Sequence, residues 1–535
     1  MLKREIQDFV SNRKEIMNFA ERFKAMVRTA TPLVMINTFD PRATLRNVLS
    51  IMAATPLKKT PTLSLADEIG LSRWDICTGL LGVNDKGIKQ LEEAVQDAEA
   101  MKVSTNLYTF LYGVGDQAMR SHFVFVLNAH KFWATAEEIQ GIWNLRDKLK
   151  NKGSMLILLS APGASLPAEL AQDVMLLEEP LPTDEQIGQI VDTAHKAARK
   201  LNPKLPENVE AVVRKQSIAA LSGLPMFPAE QSAQMGLDTE TGVINVPELW
   251  NHKRATIAQR AGLSMYDGVD TLKDMADLDN IVDILRRYDA GPESPNIVLR
   301  FDEMEKAFAG SGTDLSGDQT KLTGSILTWF QDKRINGIIF LGVPGCGKSN
   351  LLYAWANEAK KPVINVDLPG MQGSLLGESM ANLKAAEKTI DAMGGGKVLA
   401  IATVNDVSTL PAPLLRRFNI GTYFFDIPET QEARLKILKI HRAKYKISPK
   451  DAVPDMSLWT GSDVENCCKN AYMFGQTLTE AAANIVNVMT ARKEEMEMLR
   501  RGASLKYISA SRPGVYKYWN PYASKATDDS RTLRG

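Results

Sequence analysis

Short apolar runs set between polar and helical stretches pattern this chain along most of its length. In the first half they are Leu33–Asn37, Phe123–Leu127 and Met155–Leu159; in the second they are Asn296–Phe301, Gly337–Leu341, Val363–Val366 and a run over 398–403. Each reads as a strand, and their alternation with helical segments predicts an α/β protein. Residues 4–29 read as an amphipathic helix feeding the first strand. Residues 186–250 read as helical, closing in an acidic, glycine-containing loop near Gly236–Gly242. A short helix over Ile281–Tyr288 is then cut by Asp289–Pro295, where glycine and proline break the chain.

One pattern occurs twice. Leu156–Leu170 and Leu399–Leu414 share a strand, a loop and a Leu-Pro-Ala stretch, and each continues into a further strand and a proline-led acidic turn (Pro182–Glu185, Pro428–Glu432). The two halves read as one architecture used twice. After its first strand, however, the first half runs Thr38-Phe39-Asp40-Pro41-Arg42, with no glycine to cradle a phosphate. Its strand over 123–127 ends at Asn128-Ala129-His130 instead of in acids, and His130 reads as a satisfied strand-end histidine.

The second half differs. Gly337–Leu341 runs directly into Gly342-Val343-Pro344-Gly345-Cys346-Gly347-Lys348-Ser349, which fits G-x-x-x-x-G-K-[ST] throughout, with a strand before and a helix after. The glycines let consecutive amides turn toward phosphate oxygens. Lys348 can reach the β- and γ-phosphates, the Ser349 hydroxyl can ligate Mg²⁺, and the helix opening at Asn350 adds its positive end. A nucleoside triphosphate site over 342–350 follows.

Asn296–Glu303 is a strand that ends in two acids. Asp302 would hold the metal's water shell and Glu303 would accept the nucleophile's proton. Taken alone, the pair could equally open a solvated helix, because Met304–Phe308 follows. Arg300 departs from the apolar character expected of a buried strand.

Composition adds bounds. The 535 residues carry a net charge of +1, which gives no global reason to expect nucleic acid or an anionic membrane as partner. Four cysteines, Cys77, Cys346 and the adjacent Cys467 and Cys468, make neither a disulfide framework nor a metal cluster. No apolar run approaches a membrane span. A soluble protein of a reducing compartment, the cytoplasm, is expected.

Residues 297–475 resemble an AAA+ ATPase, and more narrowly the hypothetical-chloroplast-frame AAA family of plastids and cyanobacteria. The resemblance rests on the phosphate loop, Phe301–Lys306, Leu322–Gln331, Leu376–Ser379, Ala402–Asn405, Leu414–Phe418 and Thr460–Asn466. It implies an α/β fold: a P-loop core with a five-stranded parallel sheet over 296–428 and a helical lid over 429–500. Ahead of these it implies a degenerate AAA-like domain without a phosphate loop (1–250) and a connector (251–295). A flexible basic and aromatic tail over 501–535 completes the expectation. The resemblance also implies ATP and Mg²⁺ as cofactors, with Ser349 and Asp302 as metal ligands. Asn405 becomes the residue that orients the attacking water, beside Glu303 as base, and Arg416 and Arg417 become arginine fingers acting on a neighbouring subunit. Either arginine could instead bond within its own chain. Leu375–Gly377, where threading relatives carry an aromatic pore residue, is aliphatic here.

The order of the pieces is unusual, because the acidic strand precedes the P-loop. The expectation is a transposed core in which strand 297–301 lies between 363–366 and 398–403, parallel to both. The function implied is Mg²⁺-dependent ATP hydrolysis in a homo-oligomeric ring, a hexamer by resemblance, coupled to remodelling an unknown protein client. A slowly hydrolysing nucleotide-switched scaffold is the alternative. A nucleic-acid motor has only the tail in its favour.

Overall fold

A computed structural model describes residues 18–57, 60–94, 120–133, 135–308, 318–371 and 378–522. The chain divides into two compact units, Met1–Lys253 with Leu383–Ala392, and Arg254–Asn382 with Met393–Gly535.

The first unit is built on a six-stranded sheet of β1 (Leu33–Asn37), β2 (Gly70–Asp75), β3 (Gly79–Gly82), β4 (His122–Val126), β5 (Met155–Ser160) and β6 (Met175–Glu178), in spatial order β3-β2-β4-β5-β1-β6. All pairs are parallel except β2 with β3. The central strands are buried on both faces, which is why they read as unbroken apolar runs. Alternate residues divide between two cores. Leu33, Met35, Leu156 and Leu158 pack beneath the helix Ala136–Lys152, while Val34, Ile36, Ile157 and Leu159 pack with the helices Phe19–Arg28 and Pro41–Ala53. The helices Asp184–Leu201, Ala211–Leu221 and Met226–Met235 form a separate cluster.

The second unit has a seven-stranded sheet: β7 (Leu263–Met265), β8 (Ile297–Phe301), β9 (Asn336–Gly342), β10 (Val363–Val366), β11 (Val398–Val404), β12 (Gly421–Phe425) and β13 (Ile508–Ser509). Its spatial order is β13-β12-β9-β11-β8-β10-β7. β8 lies between β10 and β11, parallel to both, in the place expected for strand 297–301. From the antiparallel edge inward, the first sheet runs β3-β2-β4-β5-β1-β6 and the second β7-β10-β8-β11-β9-β12. β8 therefore holds the sheet position of β4 but comes before the strand at the β1 position in the chain, not after it.

Two expectations are corrected. The sheet has seven strands, not five, because β7 from the connector adds antiparallel to β10 and β13 adds parallel to β12. The tail is not a loose arm through residue 522: Tyr516 is buried, and Trp519 and Tyr522 pack against the cluster containing Val343 and Ile427. Its tyrosines and tryptophan read as a solvated basic stretch only while their apolar partners are unknown. Residues 4–17, Leu375–Gly377 and 523–535 lie outside the described residues. Among the described residues, no helix is long and apolar enough to cross a membrane.

Candidate nucleotide site

β9 leads into a loop that turns at Gly345 (φ 83°) and Gly347 (φ 82°) before the helix Lys348–Glu358. Only glycine enters that left-handed region without strain. A Cβ on Gly345 would also lie 2.8 Å from Thr460 Oγ1. The loop is clamped to its surroundings, since Val343 N–H donates to the Phe425 carbonyl (3.0 Å) and Ser462 N–H donates to the Gly345 carbonyl (3.1 Å). The second bond ties the loop to the first turn of the helix Gly461–Phe474. A cavity of about 80 Å³ opens here, lined by Gly345–Gly347, Asn350, Asp277, Asp426, His441 and Ser462 among others.

Lys348 is 9% exposed. Its Nζ donates to the carbonyls of Gly342 (2.7 Å) and Val343 (3.2 Å) and to Asn405 Oδ1 (3.0 Å). Burial holds it below the usual lysine range, against the pull of the Glu305, Asp302 and Glu303 carboxylates. To meet a phosphate, the ammonium would have to exchange these carbonyls for phosphate oxygens. Burial likewise pushes the Cys346 thiol up, so it stays protonated.

The acidic end of β8 faces the same helix. Asp302 accepts from Thr403 Oγ1 (2.6 Å), and Thr403 in turn accepts the Glu303 N–H (3.1 Å). Glu303 adopts φ 44°, an uncommon conformation for a non-glycine residue, and its carboxylate pairs with Lys306. Glu305 accepts the Asn405 N–H at 3.0 Å. Thr403 and Glu305 lie within the stretches Ala402–Asn405 and Phe301–Lys306 that the sequence singled out, but sequence reasoning gave neither a role.

Ser349 and Asp302, the two expected magnesium ligands, are already engaged. The Nη2 of Arg300 donates to Ser349 Oγ (3.0 Å) and lies 2.5 Å from Asp302 Oδ2. A metal between those two oxygens does not fit this arrangement, because a guanidinium stands there.

Of the other expected site residues, Asn405 joins Lys348 directly. Pro344 and Ser349 are half-buried and Asn350 is exposed at the mouth of the cavity. The candidate fingers part company: Arg417 donates to Gln331 Oε1 of its own chain (2.7 Å), whereas Arg416 is exposed.

The corresponding place in the first unit is filled differently. Asp40 caps the helix Pro41–Ala53, accepting from Arg42 N–H (3.1 Å) and Ala43 N–H (3.0 Å). A carboxylate of the chain thus takes the amides that a phosphate loop would offer to a ligand. A cleft of about 330 Å³ beside it is lined by Asp40, Arg46, Glu179 and Glu230 with Phe39, prolines and Met226.

A loop after a parallel strand, holding a buried lysine beside a strand-end asparagine, is the arrangement of a P-loop nucleotide site. Residues 338–394 match the ATPase family associated with various cellular activities (AAA), and residues 19–179 match the N-terminal domain of SpoVK-like AAA ATPases. The chain is related to the AAA ATPases in both units. It is similar to an uncharacterized AAA domain-containing protein, ycf46, from Guillardia theta, with 20% identity covering 93% of this chain and 94% of that protein. The ycf46 protein of Gracilaria tenuistipitata var. liui is 22% identical over 80% of this chain and 84% of its own.

Proposed function

We propose that the chain binds and hydrolyses ATP in its second unit, works in a homo-oligomeric ring and couples turnover to remodelling a protein client. The 3.0 Å bond between Lys348 and Asn405 carries this reading. It sets a charge-neutralising ammonium and a water-orienting carboxamide within reach of one terminal phosphate. The loop amides and Lys348 would hold the β- and γ-phosphates, and Asn405 would place the attacking water. Glu303, once released from Lys306, would accept the water's proton. Arg416, exposed at the end of a short helix, suits a finger reaching a neighbour; Arg417, spent on Gln331, suits a positioning role. The ring of six rests on the resemblance alone, and the cytoplasmic location on the cysteine usage and the lack of a membrane-length apolar run.

A nucleotide-switched scaffold that hydrolyses slowly is the second reading, favoured by the Glu303–Lys306 pair, which engages the carboxylate that would act as base. A nucleic-acid arm loses its support, because the aromatic residues Tyr516 and Trp519 pack within the chain.

Calorimetric ATP binding and steady-state turnover test the proposal. The wild type is expected to bind one ATP per chain, Lys348→Ala none, and Glu303→Gln to bind ATP with turnover lost. Undiminished affinity in Lys348→Ala sinks the site.

A further inference from the structure

Arg300 sits on β8, a central strand buried on both faces, among Val298, Leu299 and Phe301, each no more than 1% exposed. Strand alternation puts Val298, Arg300 and Asp302 on one face, and Val298 belongs to the core that contains Leu351, Leu352 and Trp355 of the helix following the phosphate loop. The Arg300 side chain, 13% exposed, thereby meets that helix at its first turns.

Its guanidinium is held on several sides. Nη2 takes Ser349 Oγ and Asp302 Oδ2, as above. Nη1 donates to Tyr353 Oη (2.7 Å) and lies 3.5 Å from Asn365 Oδ1. The guanidinium carbon sits 5.0 Å from the centre of the Tyr353 ring, which stacks on Tyr266 at 3.7 Å and itself donates to Asn365 at 2.9 Å. Nε is buried and has no hydrogen-bond partner among the described residues.

An arginine cannot escape such a place by losing its proton, as a buried lysine can. A divalent cation seeking Ser349 and Asp302 would therefore meet a fixed like charge and would have to displace it from Tyr353 and Asn365 as well. With its Nη hydrogens already on Ser349, Asp302, Tyr353 and Asn365, the guanidinium beside the phosphate loop offers phosphate oxygens what a metal offers first, a fixed positive charge.

We propose that Arg300 supplies from within the chain the positive charge that a divalent cation would otherwise place between Ser349 and Asp302, so that nucleotide binding does not depend on Mg²⁺. The proposal rests on the nucleotide site argued above.

The test measures ATP affinity by calorimetry in excess EDTA and in millimolar Mg²⁺, for the wild type, Arg300→Leu and Arg300→Lys, each checked for folding by circular dichroism. The wild-type ratio of the two dissociation constants is expected to stay below threefold. Arg300→Leu leaves Asp302 uncompensated, so its ratio is expected to rise to tenfold or more; Arg300→Lys, whose ammonium the neighbouring Asp302 keeps charged, stays below threefold. Binding of Mn²⁺ with ATP, followed by electron paramagnetic resonance, should tighten in Arg300→Leu. A wild-type ratio of tenfold or more overturns the proposal without any variant. An unchanged ratio in a folded Arg300→Leu overturns it too. In both of those outcomes ATP still binds and the site stands; absence of binding in every arm removes site and proposal together.

Discussion

Breaking the ion pair between Arg500 and Asp426 should release the C-terminal strap and loosen the nucleotide unit, by an amount the geometry fixes. Asp426 follows β12, whose Phe425 carbonyl anchors the phosphate loop through Val343. Arg500 reaches it with two bonds, 2.7 and 2.9 Å, and donates a third to the Trp519 carbonyl at 3.1 Å. The Arg500 side chain is 0% exposed and that of Asp426 9%. With charges ~4 Å apart and an effective dielectric of ~20, the attraction is about 4 kcal/mol. Arg500→Met leaves the carboxylate buried, with only the Ile427 N–H and the Tyr516 hydroxyl. Each single variant, Arg500→Met or Asp426→Leu, should cost about 3–5 kcal/mol. The double variant carries no stranded charge; it loses the acceptor of the Tyr516 hydroxyl and of the Ile427 N–H and the donor to the Trp519 carbonyl, about 1 kcal/mol each. Two compact units need not unfold together, so the assay is native-state hydrogen exchange at the β9 and β12 amides, which reports the second unit alone. Single variants costing under about 1 kcal/mol would refute the reasoning. So would a double variant equal to the sum of the singles within about 0.5 kcal/mol.

Other outcomes follow from the same geometry. Arg416→Ala should keep ATP affinity within about threefold while turnover falls at least ~100-fold, and mixing it with Lys348→Ala should restore activity at hybrid interfaces; no rescue at any ratio, with assembly confirmed, makes the residue structural. The Asp277 carboxyl is pushed up to about 6, chiefly by burial, with Arg512 opposing and Asp279 and Glu429 adding to the rise. Its folded value lies above the unfolded 3.8, so its stabilising contribution is full below about pH 4 and is lost as pH rises through 6. Asp277→Asn should therefore be more stable than the wild type by roughly 1–2 kcal/mol at pH 7.5 and equal to it near pH 4. A gain that does not vary with pH would contradict this.

Much of the architecture was legible before any coordinate. The strands were readable because parallel strands buried on both faces are unbroken apolar runs, and the repeat of Leu-Pro-Ala marked β5 and β11, which hold the same position in their sheets. The phosphate loop was readable because its chemistry needs glycine at fixed spacing. Even the place of β8 followed from the rule that crossovers keep their hand. The edges were not legible. β7 and β13 are three and two residues long, too short for any period to show, and they exist because neighbouring strands offer unpaired backbone. The tail's burial was hidden for a related reason, since its aromatics have no internal pattern and take their order from the β12 edge.

Sequence alone determined that a loop of the phosphate-binding pattern, an acidic strand and a strand-end asparagine are present, because each is a local arrangement whose residues lie within one short stretch. Only the tertiary structure decided how they are used. Arg300 looked like a flaw in an apolar strand; the fold surrounds it with Ser349, Tyr353 and Asn365, which lie 49, 53 and 65 residues away in the chain. Whether a buried charge is a defect or a device depends on the partners that meet it, and those are brought together by the sheet, not by the spacing of residues along the chain.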